Sequence, residues 1–151
     1  MQARINYYTL VPQAYKAVAA LNQYVVRDSG LPPRLQELIK IRASIVNGCT
    51  YCVDMHIKEA RHQGLGEQWI NLISVWREAR VYTEAERAVL AWTDALTLVA
   101  QTQAPDAEFE ALQKHFSDEE ITQITVAIGL INVWNRLGVG LRSQHPVDEP
   151  A

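Results

Sequence analysis

The stretch LIKIRASIVNGCTYCVDMH, residues 38–56, predicts two helices separated by a break that carries two cysteines. The apolar positions before the break recur at helical spacing and are Leu35, Leu38, Ile39, Ile41 and Ile45. Asn47–Gly48 has the composition of a turn and ends this helix. A second helix starts near Cys49 and runs to about His62. If the two helices fold back on one another, residues at similar distances from Gly48 become neighbours.

The rest of the chain also carries helical patterns, and no segment shows the alternation of a strand bounded by hairpin turns. Helix-start signals lie at Pro12, Pro32–Pro33, Thr83 with Glu86, Pro105, and Ser117 with Glu120. An amphipathic segment lies between Trp69 and Trp76, and neither a linker nor an internal repeat divides the chain. We therefore predict an all-α fold, a single compact domain over residues 1–151 with about six or seven helices.

Composition and charge exclude several classes of partner. With 151 residues, 48% hydrophobic and 21% charged, the chain has the size and composition of an ordinary globular domain. The net charge is −3, and no run of Lys and Arg provides a face for nucleic acid. The N-terminus lacks an apolar signal run, and no stretch approaches the roughly 18 apolar residues of a membrane span. We expect neither nucleic acid nor membrane as a partner, and a cytoplasmic location.

Cys49 and Cys52 are the only cysteines of the chain. On one helix they lie about 60° apart with a rise near 4.5 Å, so that a disulfide can join them without much backbone movement. Such a bridge closes a very short loop and stabilises the fold little. Thiols in the cytoplasm are also kept reduced, so a cysteine pair there is more often catalytic or metal-binding than structural.

His56 gives the two cysteines different chemical surroundings. It lies four residues after Cys52, on the same helix face, and its side chain leans back towards that cysteine. Cys49 lies nearer the start of the helix, where the helix dipole favours a thiolate. The two criteria compete, and we give more weight to the histidine because it is a specific partner at contact distance. Cys52 is therefore the preferred nucleophile.

Glu37 is the candidate group that orients His56. It lies 11 residues before Gly48 and His56 lies eight after it, which gives heights of about 16 and 12 Å above the turn. A carboxylate side chain can close that difference and orient the imidazole. From these residues alone, the preferred interpretation of Glu37 is a solvated partner of Arg34 or Lys40 on an exposed face.

Together these residues form a specific pattern. Glu37, the run Cys49-Thr50-Tyr51-Cys52, and His56 follow E-x11-C-x-x-C-x-x-x-H, which resembles the AhpD-like alkylhydroperoxidases of the carboxymuconolactone decarboxylase family. Downstream, TEAERAVLAWTDALT and INVWNRLGVGLR are similar to the helices that follow the family core. The resemblance covers about residues 30–142.

The resemblance implies both an assembly and a reaction. Members are all-helical homo-oligomers, commonly trimers or hexamers, that act as antioxidant thiol peroxidases without a cofactor. Cys52 would attack a small hydroperoxide and become a sulfenic acid, and Cys49 would supply a proton and then close the disulfide. Glu37 and His56 would form the proton relay. A thiol or dithiol, small or carried by a protein, would reduce the disulfide.

One departure and three alternatives stay open. The founding peroxidases have a second histidine just before the second cysteine, where this chain has Tyr51, and a phenol is a poor base near neutral pH. A zinc site of Cys49, Cys52 and His56, completed by Glu37 or His62, is one alternative. The others are a decarboxylase, whose relatives do not depend on a cysteine pair, and a thiol–disulfide redox or scaffold protein without peroxidase activity.

Overall fold

The computed structural model describes residues 2–148, and these contain helices and no strand, which confirms the predicted all-α fold. Nine α-helices and one 3-10 helix follow each other within this range. The α-helices are α1 (Tyr7–Leu10), α2 (Pro12–Arg27), α3 (Pro33–Asn47), α4 (Thr50–His62), α5 (Glu67–Asn71), α6 (Glu84–Thr97), α7 (Val99–Thr102), α8 (Asp106–Gln113) and α9 (Asp118–Leu141). The 3-10 helix spans Leu72–Val75.

The helix number exceeds the prediction because three elements are short. α1 and α7 have four residues each, which is too few to show a helical period in the sequence. The amphipathic segment between Trp69 and Trp76 is divided: α5 ends at Asn71, and the chain then tightens into the 3-10 helix. The longer helices begin where their start signals predict them. Both capping boxes form, at Thr83 and at Ser117.

The break between α3 and α4 has the geometry that its sequence predicts. α3 ends at Asn47, and Gly48 adopts a left-handed conformation with φ of 67°, where a residue with a Cβ would be strained. The Cys49 amide donates to the Ser44 carbonyl at 2.9 Å, which closes the end of α3. Cys49 then caps the N-terminus of α4, so that the two cysteines lie at the first turn of that helix.

α3 is the central helix of the core. It packs against α4, α6 and α9, and its apolar residues are buried on more than one side. The largest fully buried apolar side chains are Leu38, Ile39, Ile41, Ile70, Ile73, Leu90, Leu112, Ile124 and Ile128. Because neighbours surround α3, its polar residues are also enclosed, and Glu37 is only 1% exposed.

α9 is apolar enough to deserve comparison with a membrane span. Its 24 residues include a window with mean hydropathy 1.4, so by length and composition alone it could cross a bilayer. The expectation that no stretch approaches this criterion was therefore too strict. In the fold, α9 packs against α2, α3, α4, α6 and α8, and 44% of that window is buried. Packing in a helical core accounts for this apolar character.

α2 contacts the core through only part of its length. Val25, near its end, is buried, whereas Leu21, one helical turn earlier on the same face, is 40% exposed. Tyr15 and Asn22 instead line a cavity that opens beside α4. α2 therefore forms one wall of the candidate site as well as one edge of the core.

Candidate functional site

Cys49 and Cys52 form a disulfide at the start of α4. Their Cα atoms are 5.3 Å apart, which confirms that one helical turn brings them within bridging distance. The Cys52 amide also donates a weak hydrogen bond to the Cys49 sulfur at 3.4 Å. Both residues are buried, with 1% of Cys49 and 3% of Cys52 exposed. The bridged sulfurs therefore lie inside the protein.

The backbone of α9 covers the disulfide at Gly138. A Cβ atom added to Gly138 would lie 2.7 Å from the Cys49 sulfur and 3.5 Å from the Cys52 sulfur. The first distance is shorter than van der Waals contact allows, so a larger side chain here would push α4 and α9 apart. Glycine is needed at this position for the close approach of α9 to the cysteines.

Four polar residues hold α9 to the turn between α3 and α4. We call them the amide cluster, and they are Ser44, Asn47, Asn132 and Asn135. The Asn47 side-chain amide donates to the Asn132 oxygen at 3.0 Å and to the Asn135 oxygen at 2.9 Å. The Asn135 amide donates in turn to the Ser44 hydroxyl at 3.0 Å. These bonds fix the residue just before Gly48 and so position the cysteines.

On the other side of the cysteines, Glu37, His56 and Glu59 form what we call the carboxylate–histidine cluster. His56 Nδ1 donates to Glu59 Oε2 at 2.7 Å, and Glu37 Oε2 lies 3.7 Å from the same nitrogen. His56 and Glu37 are buried, whereas 46% of the Glu59 side chain is exposed. One nitrogen of the imidazole therefore faces both a buried carboxylate and a partly exposed one.

The two oxygens of Glu37 have different surroundings. Oε1 accepts hydrogen bonds from Lys40 Nζ at 2.9 Å and from Gln63 Nε2 at 3.2 Å. Oε2 is buried and has no hydrogen-bond partner within residues 2–148. Lys40 and Gln63 thus orient the carboxylate and leave one oxygen directed at His56.

The fold brings together the four residues selected from the sequence. Glu37 and His56 approach each other across the hairpin, as their heights above the turn predict, and Glu37 also pairs with Lys40. Glu37 is not on an exposed face, however, because α3 is enclosed by its neighbours. Glu59 was not predicted as a site residue, although its place three residues after His56 on the same helix face was a usable signal.

The contact with His56 changes the acidity of Glu59. The hydrogen bond from His56 lowers the pKa of Glu59, and the charges of His56 and Lys40 act in the same direction against the opposing effect of burial. An ionised Glu59 accepts the proton on Nδ1 of His56, so Nε2 is the ring nitrogen that can accept a further proton.

Two cavities reach the disulfide, and each is lined by a different one of the two cysteines. A cavity of about 780 Å³ is lined by Cys52, His56 and Glu37. Its other walls are largely apolar and aromatic, with Tyr7, Tyr8, Tyr15, Tyr51, Met55, Leu130 and Trp134. A second cavity of about 400 Å³ is lined by Cys49 and by Arg142 and His145. Each cysteine therefore has its own approach from outside.

Comparison with known proteins identifies the family. The sequence model of the carboxymuconolactone decarboxylase family matches residues 12–95, which is more than half of the chain and includes α2, α3 and α4. The protein belongs to the carboxymuconolactone decarboxylase family. Its pattern of glutamate, two cysteines and histidine, together with its fold, is that of the AhpD-like members.

Relatives of known sequence or structure extend the comparison. The crystal structure of ATU0492 from Agrobacterium tumefaciens, a protein of unknown function provisionally described as the antioxidant defence protein AhpD, is 65% identical with a TM-score of 0.95. The match covers 97% of this chain and 100% of that one. The uncharacterised YdfG of Bacillus subtilis is 33% identical over 141 residues, 93% of this chain and 95% of YdfG.

The fold also occurs in a debrominase. The debrominase Bmp8 has a TM-score of 0.80 and is 23% identical, with 91% of this chain and 74% of Bmp8 covered. At this identity the similarity concerns the fold alone. The carboxymuconolactone decarboxylase fold thus supports more than one reaction, and the site must decide between them.

Tyr51 occupies the position before the second cysteine where the founding peroxidases have a histidine. Burial raises the pKa of Tyr51, and the neighbouring Tyr8 acts in the same direction. Burial and the hydrogen bond with Tyr7 raise the pKa of Tyr8 to about 12. Both phenols are therefore neutral at physiological pH and can donate hydrogen bonds into the larger cavity, but they are poor bases.

Possible metal ligands lie in the carboxylate–histidine cluster rather than around the cysteines. Among the described residues, Glu37, His56 and Glu59 offer ligand atoms within 4.8 Å of one another. The two sulfurs are joined to each other, so the oxidised protein has no thiolate for the predicted cysteine–histidine zinc site. That alternative applies only to the reduced protein.

Proposed function

We propose that this protein is a thiol peroxidase that reduces hydroperoxides with Cys52 as nucleophile and Cys49 as resolving thiol. The observation that carries the proposal is the arrangement of Cys52 and His56 in the wall of one cavity, with a disulfide partner one helical turn away. A thiolate beside a base and next to a resolving thiol is the arrangement that peroxide reduction needs.

The proton relay begins at His56. With Glu59 accepting the Nδ1 proton, Nε2 takes the proton of the Cys52 thiol, and the resulting thiolate is the reactive form. Glu37, 3.7 Å from Nδ1, stabilises the imidazolium that forms. Glu37 therefore acts by charge from a buried position, and Glu59 acts through a hydrogen bond.

The reaction balances with these groups alone. The Cys52 thiolate attacks the terminal peroxide oxygen, the O–O bond breaks, and the departing alkoxide takes the proton of the Cys49 thiol to leave as an alcohol. Cys52 is now a sulfenic acid. The Cys49 thiolate attacks its sulfur, the S–O bond breaks, and the hydroxide leaves as water with the proton that His56 holds. The product is the disulfide state of the structure.

Burial favours this reaction over direct exchange with a partner protein. Both sulfurs are nearly inaccessible, and the cavities that reach them have the dimensions of small-molecule sites. A protein thiol would require α4 and α9 to move apart before it could attack. The disulfide is then reduced by a thiol or dithiol that approaches through a cavity, and Cys49 has an approach that does not pass through the Cys52 cavity.

The test follows hydroperoxide consumption by the reduced protein, with intact mass measured after one equivalent of cumene hydroperoxide. The wild type should lose its two thiol hydrogens and turn over with dithiothreitol. Cys52→Ser should consume peroxide no faster than dithiothreitol alone, whereas Cys49→Ser should gain oxygen on Cys52 without forming the intramolecular disulfide.

Cys49→Ser is the matched control, because it removes a thiol of similar burial one turn away. Thiols that survive peroxide in the wild type would refute the proposal. Equal turnover by Cys52→Ser and wild type would refute the assignment of the nucleophile. Reduction of a protein disulfide without peroxide consumption would support the redox-scaffold alternative instead.

A further inference from the structure

The carboxylate–histidine cluster contains an acceptor that the fold leaves unused. Glu37 Oε2 is buried and has no hydrogen-bond partner in the part of the chain that the structure describes, yet its sister oxygen accepts two bonds. A buried carboxylate oxygen without a partner is costly, and most such atoms have one. This oxygen lies 3.7 Å from His56 Nδ1, the same nitrogen that Glu59 Oε2 contacts at 2.7 Å.

We propose that Glu37, His56 and Glu59 bind a divalent transition-metal ion such as Zn²⁺. Two carboxylate oxygens and one imidazole nitrogen are ligands that such ions take in proteins. The site differs from the cysteine–histidine site considered in the sequence, because it needs neither thiol and is available in the oxidised protein. It also differs from the preferred sequence prediction, a peroxidase that needs no cofactor.

The distances are close to those that a metal requires. A tetrahedral centre with bonds of about 2.1 Å places its ligand atoms about 3.4 Å apart. The three ligand atoms here lie within 4.8 Å of one another, and His56 Nδ1 is 2.7 Å from Glu59 and 3.7 Å from Glu37. The exposed Glu59 side chain can supply most of the adjustment, since it is held only from one side.

The surroundings supply orientation and charge. Lys40 and Gln63 bind Glu37 Oε1, which fixes the carboxylate with Oε2 towards the cluster, as partners of metal ligands commonly do. The two carboxylates outweigh the single charge of Lys40. All three ligands line the larger cavity, so an ion can enter from it and complete its coordination with water.

Metal binding would have a consequence that rests on the proposed function. An ion bound at Nδ1 requires the His56 tautomer whose proton is on Nε2, so Nε2 could no longer accept a proton from Cys52. A bound ion therefore inhibits the relay. Binding itself requires no peroxide, and it can be measured whether or not the chain is a peroxidase.

The experiment titrates ZnCl₂ into oxidised, thiol-free protein by calorimetry. Wild type should bind one equivalent, and Glu59→Gln should bind at least about tenfold more weakly, because the carboxamide is a much poorer ligand. Glu59 is half-exposed, so this variant retains the fold. Glu110→Gln, an exposed substitution on α8 outside the cluster, should bind like the wild type.

Two further measurements make the result decisive. The double variant Cys49→Ser/Cys52→Ser should retain the wild-type affinity, because no sulfur takes part. Glu37→Gln, checked for native helicity by circular dichroism, should weaken binding at least as much as Glu59→Gln does. Binding that requires reduced cysteines, that survives Glu59→Gln unchanged, or that is absent from oxidised wild type would overturn the proposal.

Discussion

The amide cluster and the carboxylate–histidine cluster lie on two sides of the same pair of cysteines, and they differ in how their polar atoms are satisfied. Asn47 uses both of its side-chain N–H groups, and Asn135 both accepts and donates. In the other cluster, Glu37 Oε2 has no partner among residues 2–148, and His56 has two carboxylates for one N–H.

This difference separates a positioning role from a chemical one. A network whose amide donors and acceptors are paired has one favourable arrangement and therefore fixes the turn before Cys49. In the carboxylate–histidine cluster, Glu37 Oε2 can still accept a proton or bind a cation during function. A buried oxygen in this state lowers the stability of the fold. The amide cluster should therefore respond to mutation mainly in stability, and the carboxylate–histidine cluster mainly in reactivity.

The largest expected effect is on the rate of peroxide reduction. His56→Gln removes the proposed base for Cys52, and oxidation of the protein by cumene hydroperoxide should slow about 100-fold or more at neutral pH. The midpoint of thermal unfolding should change little by comparison. Stopped-flow measurement of thiol loss tests the rate. The exposed His115→Gln is the control, and a His56→Gln variant that reacts at the wild-type rate would remove His56 from the relay.

A smaller effect, on stability, is expected in the amide cluster. Asn135→Ala removes one of the two acceptors of the Asn47 amide and the donor to the buried Ser44 hydroxyl, which should lower the free energy of unfolding by about 1–3 kcal/mol. For a chain of this size, each kcal/mol corresponds to a fall in Tm of about 2–4 °C. Urea denaturation measures the change. The exposed Asn71→Ala should stay within about 0.5 kcal/mol, and an Asn135→Ala variant as stable as that control would contradict the positioning role.

The smallest effect is the pH dependence contributed by Glu59. Its pKa is lowered in the folded protein, so the contact with His56 stabilises the fold above the ordinary pKa of glutamate, and the stabilisation is lost as pH falls through the lowered value. Because the side chain is 46% exposed, we expect less than about 1 kcal/mol.

Urea denaturation of wild type and Glu59→Gln at several pH values tests this linkage. At neutral pH the wild type should be the more stable protein, and the difference should close below about pH 4. A difference that stays constant, or that grows on acidification, would show that the contact does not depend on the ionised carboxylate.

Local signals were sufficient for most of the fold. Gly48, the capping boxes at Thr83 and Ser117, and the apolar period of α3 each act over a few residues, and they predicted the long helices. The four-residue helices α1 and α7 were not predictable, because helices of that length depend on their neighbours rather than on their own sequence. The exposure of Leu21 was not predictable either, because helical spacing of apolar residues does not show how much of α2 the rest of the chain covers.

The sequence by itself determined the helical hairpin, the bridging distance between Cys49 and Cys52, and the membership in the family. These depend on helix geometry and on residues close together in the chain. Only the tertiary structure decided that Glu37 is buried, that Glu59 shares His56 with it, and that Gly138 covers the disulfide. Burial and hydrogen-bond choice depend on which helices pack around a residue, and a one-dimensional pattern does not contain that information.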